Sequence, residues 1–149
     1  MVGEGTPAIF VTFVLALVGY VGLTGVVVFS IVRRLPVVLW RGVAVVILVH
    51  VLMVWAFRYG WQFDLAVRNG YAGFAMFHGA LACILVSTVV GEKRSRILVH
   101  IAFGIVTVGA LGATFLYDVV SAYRIPVILC AGIGGFFLFR AYVLKRPAA

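Results

Sequence analysis

The stretch AIFVTFVLALVGYVGLTGVVVFSIV, Ala8 to Val32, decides the class of this protein, because it runs without a single charged residue. A helix needs about 20 mostly apolar residues to cross the roughly 30 Å hydrocarbon core of a bilayer, and this stretch is long enough. It is too long for the apolar core of a cleaved signal peptide and has no basic stretch before it, so it reads as a first membrane span. Further apolar stretches follow at Pro36 to Phe57, Tyr71 to Val90, Ile97 to Tyr117 and Ile125 to Leu144. Pro36 and Pro126 fall where helices begin, where the missing amide proton costs nothing. The fold expected is an all-α integral membrane protein, a single domain over residues 1–149 built as a bundle of about five transmembrane helices.

Composition points the same way. The chain has 149 residues, 65% apolar and 11% charged, with a mean hydropathy of +1.23. A soluble domain is nearer half apolar and a quarter charged. No length remains for a separate soluble domain, so any site lies in the membrane or on short loops. The net charge of +8 would suit nucleic acid, but the basic residues stand in small groups between apolar runs, and no nucleic-acid partner is expected. They set orientation instead. Arg33, Arg34, Lys93, Arg94, Arg96, Lys145 and Arg146 fall on one side of a five-span chain, which is expected to be the cytoplasmic side of the cytoplasmic membrane. The N-terminus then faces outward, with Arg58, Arg68, Arg124, Glu4, Asp64 and Asp118 on that side. Trp40 near the inner face, and Trp55, Tyr59, Trp61 and Tyr71 near the outer one, read as interfacial anchors. Arg41 and Arg140 lie close enough to the inner ends to snorkel.

Small residues mark the helix contacts expected. Gly19, Gly22 and Gly25 in span one, Gly104, Gly109 and Gly112 in span four, and Gly132, Gly134 and Gly135 in span five let helices approach closely, within the chain or with a partner. Cys83 and Cys130 stand alone in apolar runs and read as packing residues, not as a disulfide or zinc ligands.

Histidine is the residue that offers chemistry. His50 lies seven residues before the outer end of span two and His78 seven residues after the outer start of span three. At 1.5 Å per residue each is about 10 Å below the outer face, and neighbouring antiparallel helices would bring them level. Two neutral imidazoles at one depth are candidate axial ligands for a b-type haem, or part of a site for another transition metal. Arg58 and Tyr59, with Arg68 in the loop, would be the propionate partners. The plain alternative is that each ring hydrogen-bonds to another helix, with no cofactor. His100, three residues into span four, reads as an interfacial residue apart from this pair. Hydrolase and metalloprotease chemistry is not expected, because Glu4, Asp64, Glu92 and Asp118 are the only acids and none lies deep in a span. No phosphate-binding or dinucleotide glycine motif and no run of pore-lining charges occurs.

Tyr71, His78, Leu81 and Ala82 in span three, followed by a basic connector, and Arg96, Gly109 and Tyr117 in span four carry a resemblance. At these spacings the two spans resemble a family of small bacterial and archaeal membrane proteins that includes an assembly factor for haem-copper cytochrome oxidase. The likeness covers spans three and four alone. The family's histidine at the start of span two has no counterpart here, where Leu39 to Arg41 stand, its span-two end reads Arg58-Tyr59, and most members have four spans. The resemblance implies a role beside the oxidase, in assembly or as an accessory subunit, with His78 the position carried over. The expected function is therefore a small membrane subunit associated with a respiratory haem-copper oxidase, more a binding or electron-transfer component than an enzyme. The alternatives are a purely structural subunit without a cofactor and a small transporter.

Overall fold

The computed structural model describes residues 7–68 and 70–144, so Glu4, Lys145 and Arg146 lie outside the described residues. Among those described there is no strand, and 88% is helical. Helix α1 is Pro7–Val32, α2 is Val37–Met53, continued by a π-helical turn Val54–Arg58, and α3 is the short Phe63–Ala66. Helix α4 is Tyr71–Ser87 and α5 is Glu92–Leu116. After a 3-10 turn Asp118–Tyr123 comes α6, Arg124–Phe139, which runs into a second π-helical turn, Arg140–Leu144. Four of these helical stretches are long and apolar enough to cross a membrane: Pro7–Val32, Val37–Arg58, Glu92–Leu116 and Asp118–Leu144. Helix α4 is apolar but has 17 residues, fewer than the others.

Two boundaries depart from the sequence expectation for physical reasons. Span three was expected to reach Val90, but α4 stops at Ser87. There the Ser87 and Thr88 hydroxyls bond back to the Ile84 and Leu85 carbonyls, and the chain turns through Thr88 and Val89 toward Gly91. Span four was expected to start at Ile97, but α5 starts at Glu92. Its first turn is polar yet made of good helix formers, opens with an acid at the positive helix end, and closes with a Glu92–Arg96 ion pair of 3.4 Å. Hydropathy therefore marked where the apolar part begins, not where the helix does.

Helices α1 and α5 form the middle of the bundle. α2 packs on α1, α4 packs on α5, and α6 lies against both α1 and α5. Leu23, Val26 and Val27 of α1 meet Val99, Ala102 and Phe103 of α5 in the core, all essentially without exposure. Tyr20 stacks on Phe103 at 5.8 Å between centroids, and its hydroxyl is 2.8 Å from Thr107 Oγ1. The pair α2 and α4, though consecutive among the longer helices, touch little, and α3 with its flanking turns lies between them in the chain. That connector bends through Gly60 and Trp61 at φ 53° and 60°, and Gly70 at φ 105°.

The expected glycine contacts divide sharply. A Cβ on Gly19 would meet Ile47 of α2 at 2.8 Å, one on Gly22 would meet Val43 at 2.7 Å, and one on Gly109 would enter the Phe77 ring of α4. Gly134 is filled by the Phe103 ring of α5, so α6 docks at that glycine. Gly25, Gly104, Gly112, Gly132 and Gly135 have open space instead. A Gly134→Val variant should lose about 1–3 kcal/mol of stability by overpacking against Phe103, while Gly132→Val should be near neutral. Thermal or denaturant unfolding in detergent, followed by circular dichroism, measures the difference.

Candidate functional site

Arg33, Arg34, Arg41, Lys93, Arg94, Arg96 and Arg140 gather at the end of the bundle where α1 and α4 finish and α2 and α5 begin. This is called the basic end. Each histidine makes a bond in a different place, and one of the three lies close to this end.

His50 turns toward α1. Its Nδ1–H donates to the Thr12 carbonyl at 2.8 Å, a bond that sits alongside the Gly19–Ile47 contact in joining α1 to α2. His78 faces an aromatic cluster at the opposite end of the bundle. Trp55 Nε1–H donates to His78 Nε2 at 3.1 Å, which leaves the proton on Nδ1, and Nδ1–H donates to the Phe74 carbonyl one turn back at 2.9 Å. The Phe74 ring stacks on the imidazole at 4.0 Å, and Trp55 meets both rings edge-on. Trp61 stacks on Trp55 at 6.0 Å, and Phe63 meets Phe74 at 5.2 Å.

The two rings proposed as a ligand pair thus bond to different elements. A haem held between them would have to displace the Trp55 indole from His78 Nε2, so the rings as arranged fit helix ties better than axial ligands. Arg58 is exposed at the end of the π-helical turn, and Arg68 is exposed in the connector after α3. Tyr59 packs edge-on against Trp55 at 5.8 Å. Among the described residues no group of three His, Cys, Asp or Glu side chains converges.

The site that sequence reasoning missed is at His100. Its expected place was the interface, apart from any cluster; it is instead buried at 8% exposure among α1, α5 and the end of α6. The Ser30 hydroxyl, fully buried, donates to the Val27 carbonyl at 2.8 Å, so its oxygen is left to accept from His100 Nε2–H, also at 2.8 Å. His100 Nδ1 then carries the lone pair and accepts from the Tyr142 hydroxyl at 2.8 Å. The result is one directed chain, Tyr142 to His100 to Ser30 to the Val27 carbonyl, through three helical elements. The signal available in the sequence was that Ser30, His100 and Tyr142 each fall a few residues from the charged end of their span, which puts them at one level. Their separation of 70 and 42 positions hid the contact.

Trp55 and Tyr142, the aromatic partners of His78 and His100, both sit in the π-helical turns. A π turn spends an extra residue per turn and so shifts the register of the side chains beyond it relative to α-helical winding. Trp40 was expected to anchor at the interface, but it too is turned inward. It is 1% exposed, and its Nε1–H donates to Ser87 Oγ at 3.0 Å, tying α2 to α4. At the other end, Arg124 Nε–H donates to the Thr114 carbonyl at 2.7 Å, closing the turn between α5 and α6.

Comparison with family models, with curated proteins and with solved structures finds no match to the chain. What the arrangement can do is therefore read from its own chemistry, in which imidazole, indole and hydroxyl groups bond from helix to helix, while the buried Ser95 Oγ has no partner. In a double-mutant cycle of His100→Phe with Tyr142→Phe, a coupling of about 1 kcal/mol is expected, with a similar figure for Trp55→Phe with His78→Phe. Unfolding in mixed micelles measures both cycles, and additive losses would mean that these bonds hold nothing together.

Proposed function

We propose that this chain is a five-span accessory or assembly subunit of the cytoplasmic membrane, N-terminus outside and C-terminus in the cytoplasm, which works without a haem or metal of its own. The observation that carries the reading is the outer stripe of α6. Ile125, Ile128, Leu129, Gly132, Ile133 and Phe136 are exposed at spacings of three and four, while Val127, Cys130 and Gly134 on the other face pack into the bundle. Gly132 has open space where a side chain would be, which is the feature that lets another transmembrane helix come close. The cofactor-free part is supported by the ring nitrogens of His78 and His100, all of which have protein partners. The five-span topology is supported by the charge at the two ends of the bundle, seven described basic residues against Arg58, Arg68 and Arg124. α4 is near the short limit for a span, which local thinning of the bilayer accommodates at small cost.

The partner suggested by the resemblance of spans three and four is a haem-copper oxidase. A subunit of this kind contributes surface and assembly order, not a reaction step. Its histidines serve folding inside the membrane, and its basic end faces the cytoplasm.

Three measurements test the proposal. The purified protein should give a flat reduced-minus-oxidised visible spectrum and hold no stoichiometric iron or copper; sharp reduced-haem bands lost in both His50→Ala and His78→Ala would replace it with an electron-transfer role. Gly132→Leu should lower co-purification with oxidase subunits while leaving unfolding unchanged, and wild-type levels of co-purification would remove α6 as the docking helix. In a Cys83→Ala, Cys130→Ala background, Arg68→Cys should be labelled from outside the membrane and Lys93→Cys from the cytoplasm. Labelling of both from one side would overturn the topology.

A further inference from the structure

The seam between α2 and α4 is the one place where consecutive spans are left apart, and its lining is graded. Arg41, Ala44, Val45 and Leu48 form a single stripe on α2, and Leu85 of α4 with Thr88 and Val89 of the turn that follows it form the facing side; together they bound an open groove of about 340 Å³. α2 runs away from the basic end and α4 runs toward it. Arg41 and Thr88 therefore sit at the mouth near that end, while Leu48 lies seven residues, about 10 Å, deeper along α2, and Leu85 lies three residues before Thr88, about 4.5 Å deeper on the facing side. Beside the mouth the Trp40–Ser87 bond holds the two helices in place.

The charge at the mouth has no answer within the described chain. Arg41 is exposed, and the single ion pair among the described residues is Glu92 with Arg96. Asp64 and Asp118 belong to the opposite end of the bundle. A guanidinium at the edge of the hydrocarbon offers a fork of donors suited to phosphate oxygens. Below it the groove offers only aliphatic surface running along the membrane normal.

We infer that this groove binds one anionic phospholipid of the leaflet at the basic end, with the lipid phosphate on the Arg41 guanidinium and an acyl chain between Ala44, Val45 and Leu48 of α2 and Leu85 of α4. Polar and apolar ends of the groove are ordered as they are in a phospholipid standing in that leaflet, and the positive charge selects a headgroup with net negative charge over a zwitterionic one. The lipid closes a seam that the helices of this chain leave open. The inference rests on the reading that α4 crosses the membrane, which cysteine labelling at positions 68 and 93 tests on its own.

The test is native mass spectrometry of the full chain released from detergent micelles containing equal amounts of phosphatidylglycerol and phosphatidylcholine with the same acyl chains. The protein should retain one lipid, with a preference of about fivefold for phosphatidylglycerol, the size expected of one basic residue near a charged headgroup. Arg41→Gln should remove the preference. Val45→Trp, at a position exposed in the groove and outside the core, should lower retention of both lipids while the circular dichroism spectrum stays unchanged. Arg34→Gln, a basic residue of the neighbouring connector, should leave the preference intact. Equal retention of the two lipids, or the same loss of preference in Arg34→Gln, would overturn the inference in favour of a diffuse surface charge. Displacement of the lipid by millimolar inorganic phosphate would reduce the site to an anion site without a chain groove. Retention of a second protein chain, lost in Val45→Trp, would make the groove a dimer contact.

Discussion

Hydrocarbon offers no partner to a polar group, and the rest of this structure depends on how its few polar side chains meet that constraint. The hydroxyls solve it in two directions at once. Thr12, Thr24, Ser30, Ser87 and Thr114 each donate to a carbonyl three or four residues back in their own helix. Donation at home leaves the oxygen able to accept from elsewhere, and Ser30 and Ser87 use it to receive an imidazole and an indole N–H from other helices. Each ring thus finds a partner without a charge being buried. A bond of this kind is worth only about 0.6–2 kcal/mol in a membrane, but it has direction and register, which apolar contacts between helices lack.

The ties and the glycines then divide the bundle between them. α1 and α2 meet over Gly19 and Gly22 and are joined by His50, α4 meets α5 over Gly109, and α6 is seated on Phe103 by Gly134. At the basic end His100 locks α1, α5 and the last turn of α6 together. α2 and α4 share only two such side-chain ties, Trp40 with Ser87 near the basic end and Trp55 with His78 near the other. Between these two points the pair is free to stand apart, and the lipid groove opens beside the Trp40–Ser87 tie at the basic end. The same economy leaves α6 with one face committed and one open. The surfaces offered to lipid and to a partner are set by where the internal contacts stop.

The π-helical turns belong to this logic. Both come at the ends of long spans, and both carry the aromatic residue that reaches a histidine. Trp55 is partly buried by its bond, whereas Tyr142 reaches His100 while staying exposed. Trp40, Trp55 and Tyr142 take part in internal bonds, while Trp61 and Tyr71 stay exposed at the end opposite the basic one.

How much of this is legible in the chain depends on the range of the physics involved. Membrane character, the apolar stretches and the segregation of basic residues to one end are local properties of composition, and they can be read from stretches such as Ala8 to Val32 and from Arg33, Arg34, Lys93 and Arg94. Helix ends are legible only to within a few residues, since α5 begins in the polar turn at Glu92 that hydropathy ignores. The face each helix buries is not legible, because lipid and core are equally apolar and leave no amphipathic stripe to follow. Gly22 and Gly25, or Gly132 and Gly134, look alike in sequence and differ entirely in contact. His50 and His78 can be seen to need partners, but not which ones. His100 reads as interfacial, because its partners lie on two other helices far away in the chain. Residue order alone settles the solvent this protein lives in and the places where its chain crosses from polar to apolar. Which polar groups meet is settled in the folded bundle, because hydrogen bonds act over a few ångströms and helix packing, not sequence distance, sets what comes that close.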